Sequence, residues 1–159
     1  MVVRLAKEDD LRGLERIERS SFRKERFPRA LLAFLLCSNA FMTVVDETDG
    51  VLTGYASAYL DARESARLVS LAVLPAFRGR GVAKRLMEKV ELGCIEKGVR
   101  EISLEVSISN LIALHLYLRQ GYEIAGIIKN YYGAGHDAFY MEKKIYKMEN
   151  EEPPNPQGL

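Results

Sequence analysis

An apolar, strand-forming stretch runs directly into a basic loop with two glycines, and the loop runs into a helix-forming segment. The stretch covers residues 68–74, the loop at residues 78–81 has the sequence Arg-Gly-Arg-Gly, and Val82 begins the helical pattern. Glycine allows such a loop to turn sharply, and the free N–H groups at a helix start attract anions. Further positive charge comes from Arg78, Arg80, Lys84 and Arg85. The sequence therefore predicts a site for a phosphate-bearing ligand between a strand and a helix.

The rest of the chain predicts one domain of the α/β class. Its 159 residues are enough for one buried core, and its 48% hydrophobic and 28% charged residues are typical of a globular protein. Hydrophobic periodicity predicts the element order β-α-α-β-β-β-α-β-α-β-β, which gives a mixed sheet flanked by helices. We predict that residues 1–147 form the domain and that residues 148–159, which include three prolines, are a disordered tail.

Charge, apolar runs and cysteine spacing restrict the classes of function. The formal net charge of +1 gives no overall attraction to nucleic acid or to an anionic membrane. No apolar run reaches the roughly 18 residues of a transmembrane helix, and no signal-peptide pattern is present, so we predict a cytoplasmic protein. Cys37 and Cys94 match no metal-binding spacing and are predicted to be buried free thiols, with a disulfide left open. The two histidines indicate no metal site either.

The glycine loop before the helix at Val82 can be interpreted in several ways. A P-loop ends in Gly-Lys-Ser/Thr, an ending that is absent here. The dinucleotide fingerprint needs a third glycine where Lys84 stands, and its acidic partner would be Glu105, which lies inside a predicted strand. A helix-start loop without a ligand is a further alternative.

The most specific match is a fourth pattern. Residues 78–83, Arg-Gly-Arg-Gly-Val-Ala, resemble the Arg/Gln-x-x-Gly-x-Gly/Ala signature of the GNAT acyltransferase superfamily. Residues 71–75 resemble the strand and proline that precede that signature, and residues 104–110 and 116–122 resemble the family's second motif. Residues 131–138 resemble the ending found in N-terminal protein acetyltransferases, particularly the ribosomal-protein-alanine enzymes and archaeal catalytic subunits. The resemblance covers residues 2–146.

The resemblance implies a GNAT fold with a central mixed, mostly antiparallel sheet of about seven strands and about four flanking helices. The sheet would be splayed at the cofactor site, between the strand ending near Leu74 and the one ending near Val106. Acetyl-CoA would be the acetyl donor. The cofactor-binding residues implied are Leu71, Ala72, Val73, Arg78, Gly79, Arg80, Gly81, Val82, Ala83, Lys84 and Asn110. Asn110 also suits a helix N-cap, which needs no ligand.

The resemblance also implies Glu105 as the catalytic base and Tyr117 as the catalytic acid. An α-amine with a pKa of about 8 must lose a proton before it attacks a thioester, and the departing thiolate needs one. The residues themselves leave alternatives open, because Glu105 fits an exposed carboxylate on a strand face and Tyr117 fits a packed aromatic. Substrate contacts are implied for Phe27, Pro28, Tyr131 and Tyr132. The two tyrosines also fit aromatic residues that merely end a strand.

The function implied is transfer of an acetyl group from acetyl-CoA to the N-terminal α-amine of proteins, by direct attack in a ternary complex. The partners would be protein or peptide N-termini, including those of ribosomal proteins, without nucleic acid or membrane. An auxiliary subunit or a homodimer is compatible with the sequence. The alternatives are a GNAT enzyme for a small amine or a lysine, whose pKa of about 10.4 demands a stronger base, and a non-catalytic acyl-CoA-binding module. The preferred N-terminal residues and the role of His136 stay open.

Overall fold

The predicted order of strands and helices is present in the computed structural model, which describes residues 1–146. The described part of the chain contains seven strands and four α-helices. They are β1 (Val2–Leu5), α1 (Leu11–Ser21), α2 (Arg29–Cys37), β2 (Phe41–Thr48), β3 (Val51–Asp61), β4 (Ser65–Val73), α3 (Val82–Glu96), β5 (Glu101–Ser107), α4 (Leu111–Arg119), β6 (Glu123–Ile128) and β7 (Ala138–Lys144). The predicted tail at residues 148–159 lies outside the described residues, and the domain boundary stays a prediction.

The strands form one sheet in the order β1-β2-β3-β4-β5-β7-β6. Within residues 1–146, neighbouring strands are antiparallel except for β4 and β5, which are parallel. A connection between parallel neighbours must cross the sheet, and α3 provides it. The predicted mixed, mostly antiparallel sheet is confirmed.

The sheet is splayed between β4 and β5. These strands pair at three positions, and the last pair is Arg67 with Ser103. On the other side of β4, Ser57 of β3 pairs with Ser70 while the next residue of β3, Ala58, pairs with Leu68. Val69 is therefore an extra residue, and such a β-bulge bends its strand. The bend lies where β4 leaves β5, so the predicted opening is present and forms a cleft.

Helices cover both faces of the sheet. Side chains of successive strand residues point to opposite faces, and on β2 the buried Val44 and Val45 belong to different hydrophobic clusters. The cluster around Val44 includes Leu86 and Val90 of α3, whereas the cluster around Val45 includes residues of α1 and α2. The cleft thus opens in a sheet whose strands are supported on both sides.

Two local expectations need correction. Cys94 is buried as predicted, but Cys37 is exposed, and both thiols are free. Cys37 is the last residue of α2, about 140° around the helix from the buried Leu32, so it faces away from the sheet. Proline fits the first turn of a helix, so the sequence predicts Pro28 inside α2. The structure places it just before the first helical residue, where its carbonyl accepts the N–H of Leu32.

Gly54 of β3 is a position where a side chain has no space. A Cβ there would lie 2.8 Å from the carbonyl oxygen of Ala72 and 3.0 Å from the side chains of Val82 and Leu86. Since overpacking of a close-packed interior is destabilising, we expect Gly54→Ala to lower the free energy of unfolding by about 1–3 kcal/mol. Urea denaturation measures this change. Gly126→Ala is the matched control, because nothing lies within 4 Å of a Cβ at that strand position, and an equal loss in both variants would contradict the explanation.

Candidate functional site

The cleft between β4 and β5 brings together six parts of the chain. Its walls are β4, β5, the loop before α3, one side of α4, and the connections α1–α2 and β6–β7. The splayed strands leave the β5-facing edge of β4 without a strand partner beyond Arg67. An edge of this kind can pair its backbone groups with the amides of an extended ligand.

The glycine loop forms one end of the cleft. Gly79 and Gly81 have φ angles of +73° and +76°, and Gly81 directly precedes α3. A Cβ at Gly79 would meet nothing within 4 Å, so the left-handed backbone rather than lack of space favours glycine there. The amides at the start of α3, with its helix dipole, suit an anion, as predicted from the sequence.

Arg85 holds this loop in place through hydrogen bonds, a role that the sequence did not reveal. Its Nε and Nη2 donate to the carboxylate of Asp46 at 3.0 and 2.9 Å, and its Nη1 donates to the carbonyl of Arg80 at 3.1 Å. Asp46 is fully buried and also accepts a 2.7 Å hydrogen bond from the hydroxyl of Thr53. Arg85 therefore connects the loop to the core of the sheet.

Most of the predicted cofactor-binding residues line the cleft. Those that line it are Leu71, Ala72, Val73, Arg78, Gly79, Gly81, Val82, Ala83, Lys84 and Asn110. Arg80 is not among the described lining residues, and its guanidinium lies over the ring of Phe77, 5.4 Å from the centroid. Helix-start amides, Arg78 and Lys84 form a donor set that fits a pyrophosphate, so these residues would hold coenzyme A.

Asn110 serves as the N-cap of α4. Its side-chain oxygen accepts a 3.2 Å hydrogen bond from the N–H of Ala113. The capping role suggested by the residue itself is therefore present, and the side chain lies at the cleft at the same time. A contact with the cofactor stays a prediction.

Glu105 lies on the cleft face of β5. Hydrophobic residues alternate with it along the strand, so the buried Ile102, Leu104 and Val106 point to the opposite face. The side chain of Glu105 is 11% exposed, so it is not the freely solvated carboxylate that the sequence allowed. Its Oε2 accepts a 2.9 Å hydrogen bond from Nε of Arg67. Arg67 is a site residue that sequence reasoning missed, since it lies 38 positions earlier in the chain.

Tyr117 of α4 combines a packed ring with a place at the cleft. The residue is 7% exposed, its ring lies 5.9 Å from that of Tyr122, and it lines the cleft. Burial, with a smaller effect of Tyr132, raises the pKa of Tyr117 well above its ordinary value. The phenol is therefore protonated at neutral pH and able to donate.

Tyr131 and Tyr132 lie in the β6–β7 connection beside Glu105, not at a strand end. Their rings meet edge to face with centroids 4.8 Å apart. The Tyr131 hydroxyl accepts a 2.5 Å hydrogen bond from Nη2 of Arg67, and the Tyr132 hydroxyl donates at 3.3 Å to the carbonyl of Glu105. Burial is the largest factor that raises the pKa of Tyr132 to about 12, so its hydroxyl keeps its proton. Both tyrosines line the cleft, and so does His136.

The α1–α2 connection forms the opposite wall. Phe27 lines the cleft, whereas Pro28 is exposed and is not among the described lining residues. The N–H of Phe27 donates to Oε2 of Glu18 at 2.7 Å, and the hydroxyl of Tyr55 donates to Oε1. Glu18 is buried, and this burial raises its pKa. The sequence did not indicate this anchor, which holds the wall against α1.

The described residues provide neither a cluster of metal ligands nor a membrane-spanning helix. Among residues 1–146, no group of three or more His, Cys, Asp and Glu side chains is placed to hold a metal ion. In the same part of the chain, no helix is both long and apolar enough to cross a membrane. The expected lack of a metal and the cytoplasmic location stay predictions.

The sheet is splayed, a glycine loop lies at a helix start, and the cleft is lined by a carboxylate and a phenol. This is the arrangement that the resemblance to the GNAT superfamily implied. Residues 10–122 match the model of the acetyltransferase (GNAT) family. The match spans more than half of the chain, so the chain belongs to this family. The sequence resemblance is thereby confirmed, and the protein is an acetyltransferase of the acyltransferase class.

Curated proteins and solved structures include similar chains. The chain is 34% identical over 140 residues to a Bacillus subtilis protein named "Putative ribosomal protein bS18-alanine N-acetyltransferase", covering 87% of this chain and 92% of that one. It is 27% identical over 160 residues to the N-terminal acetyltransferase A complex catalytic subunit ard1 of Schizosaccharomyces pombe, covering 96% and 90%. The structure of an aminoglycoside 6'-N-acetyltransferase complexed with coenzyme A has a TM-score of 0.82 at 16% identity, covering 91% and 97%, and shows the shared fold.

Proposed function

We propose that this enzyme transfers an acetyl group from acetyl-CoA to the N-terminal α-amine of proteins, with ribosomal proteins among the substrates. The observation that carries the proposal is that Glu105 and Tyr117 line one cleft, together with an anion-binding loop and two tyrosines. Acetyl-CoA, when bound, supplies the acetyl group as a reactive thioester. The substrate class is supported by the similarity to a named ribosomal-protein-alanine acetyltransferase and to a named N-terminal acetyltransferase subunit.

Glu105 acts as the base in this proposal. An α-ammonium group has a pKa of about 8 and must lose a proton before it becomes a nucleophile. The carboxylate of Glu105 accepts that proton, directly or through a water, from an amine held against Tyr131 and Tyr132. An ordinary carboxylate is a weak base, so its fixed orientation beside the substrate amine provides the assistance.

Tyr117 acts as the acid. Its hydroxyl keeps its proton at neutral pH, because burial raises its pKa. It gives this proton to the sulfur of the departing coenzyme A thiolate, which leaves as the thiol. Direct attack also requires no nucleophilic side chain, and Cys94 is buried outside the cleft lining while Cys37 lies at the end of α2.

The test is an acetylation assay with the full chain, acetyl-CoA and peptides that vary in their first two residues, beginning with an N-terminal alanine. Fragment mass spectra locate the acetyl group. We expect it on the α-amine and not on an internal lysine, because lysine, with a pKa of about 10.4, needs a stronger base. The matched control is the same peptide with a blocked N-terminus.

Acetylation of the blocked peptide at lysine, or of small amines alone, would contradict the proposal and favour the other amine substrates. Binding of acetyl-CoA without transfer to any acceptor would favour a non-catalytic module. Acetylated protein formed in the absence of an acceptor would contradict direct attack.

A further inference from the structure

Arg67 stands where β4 and β5 separate. It forms the last register pair of the two strands with Ser103, and Glu105 lies two residues further along β5. The side chain of Arg67 crosses the opening, where its Nε donates to Oε2 of Glu105 at 2.9 Å. Its Nη2 donates to the hydroxyl of Tyr131 at 2.5 Å. One guanidinium therefore connects a group on β5 with a group in the β6–β7 connection.

The connection leaves the reactive part of Glu105 available. Within the described part of the chain, Oε2 of Glu105 is bound to Arg67, whereas Oε1 accepts no hydrogen bond. The Glu105 side chain is 11% exposed, whereas that of Arg67 is 46% exposed. A planar guanidinium can hold two partners at fixed angles, which a lysine ammonium cannot do as well.

We propose that Arg67 is a positioning residue that aims the free oxygen of Glu105 and the hydroxyl of Tyr131 at the substrate amine. The proposal rests on the function proposed above and assigns a role to a residue that neither the motifs nor the relatives indicate. Arg67 acts on turnover through Glu105 and on peptide binding through Tyr131. We therefore expect the contact with Glu105 to influence kcat and the contact with Tyr131 to influence the peptide KM.

The structure predicts a specific pattern for Arg67→Gln. We expect kcat to fall by about 10-fold, because the carboxylate loses its orientation, and the peptide KM to rise several-fold, because Tyr131 is released. The Kd for coenzyme A should not change, since Arg67 is not among the residues expected to hold the cofactor. Arg67→Lys should recover part of kcat but little of KM.

Double variants distinguish positioning from a merely structural role. If Arg67 acts through Glu105, then Arg67→Gln should cause no further loss of kcat in a Glu105→Gln background. If it acts through Tyr131, it should cause no further rise of KM in a Tyr131→Phe background. A structural role predicts additive effects in both backgrounds, and additivity would overturn the proposal.

The matched control is Arg100→Gln. Arg100 forms an ion pair with Glu64 near the other end of the same strands, and the two side chains are 71% and 65% exposed. Exposed pairs contribute little, so this variant should match the wild type.

A measurement without substrate keeps the two proposals separate. The Nε–H signal of Arg67 in ¹H–¹⁵N NMR spectra, assigned through its loss in Arg67→Lys, should shift in Glu105→Gln and in Tyr131→Phe. Failure to shift in either variant would overturn the positioning role, whatever the activity. A wild-type chain that acetylates no peptide, with the signal still responding to both variants, would count against the proposed function and leave the positioning of the two groups established.

Discussion

Replacing Glu105 by glutamine is expected to lower kcat for an N-terminal peptide by about 100-fold or more, which is the usual range for loss of a general base. The amide has nearly the shape of the carboxylate, and its oxygen can still accept the hydrogen bond from Arg67. It cannot take a proton from the substrate ammonium group. Since Glu105 is not among the residues expected to hold the cofactor, the Kd for coenzyme A should stay within about twofold of the wild type.

Steady-state kinetics with a saturating peptide, and calorimetry with coenzyme A, measure the two quantities. Glu101→Gln is the matched control, because Glu101 lies on the same strand four residues earlier, where β4 and β5 are still paired. The control should keep full activity. If Glu105→Gln turned over at a rate close to that of the wild type, Glu105 would not be the base.

Replacing Tyr117 by phenylalanine should lower kcat by about 10–100-fold. The loss is expected to be smaller than for Glu105, because a thiol with a pKa of about 8.5 is already a fair leaving group without an acid. Since burial holds the pKa of Tyr117 well above its ordinary value, the phenol stays protonated as the pH rises. The wild type should therefore show no alkaline loss of kcat from Tyr117 up to a pH of about 10.

The neighbouring Tyr122 provides the control. Its ring packs against that of Tyr117, but it is 1% exposed and does not line the cleft. Tyr122→Phe removes a buried hydroxyl from the same aromatic pair and should leave kcat unchanged. Equal losses of kcat in both variants would show that the ring packing, not the Tyr117 hydroxyl, supports activity.

The local parts of the site were predictable from the sequence. A glycine loop before a helix, the alternation of β5 and the cap at Asn110 depend on neighbours within a few residues, which the sequence displays directly. The same reasoning failed for Cys37, because an apolar helix pattern does not show which residue is turned away from the sheet when the helix ends. It also did not show that Arg80 turns to Phe77.

The supporting contacts of the site depend on residues far apart in the chain. Arg67 meets Glu105 because parallel pairing brings β4 beside β5 and a bulge then parts them, and no local pattern contains that register. The anchor between Glu18 and the Phe27 amide likewise depends on how α1 packs against the sheet.

By itself, the sequence determined the order of strands and helices, the glycine loop at the start of α3, and the family that the short motifs indicate. These features follow from side-chain periodicity, backbone preferences of glycine and short motifs, all of which are local. The tertiary structure decided that Arg67 donates a hydrogen bond to Glu105, and that Arg85 holds the loop to the buried Asp46. Such contacts exist only when sheet register and helix packing bring distant charges within hydrogen-bonding distance.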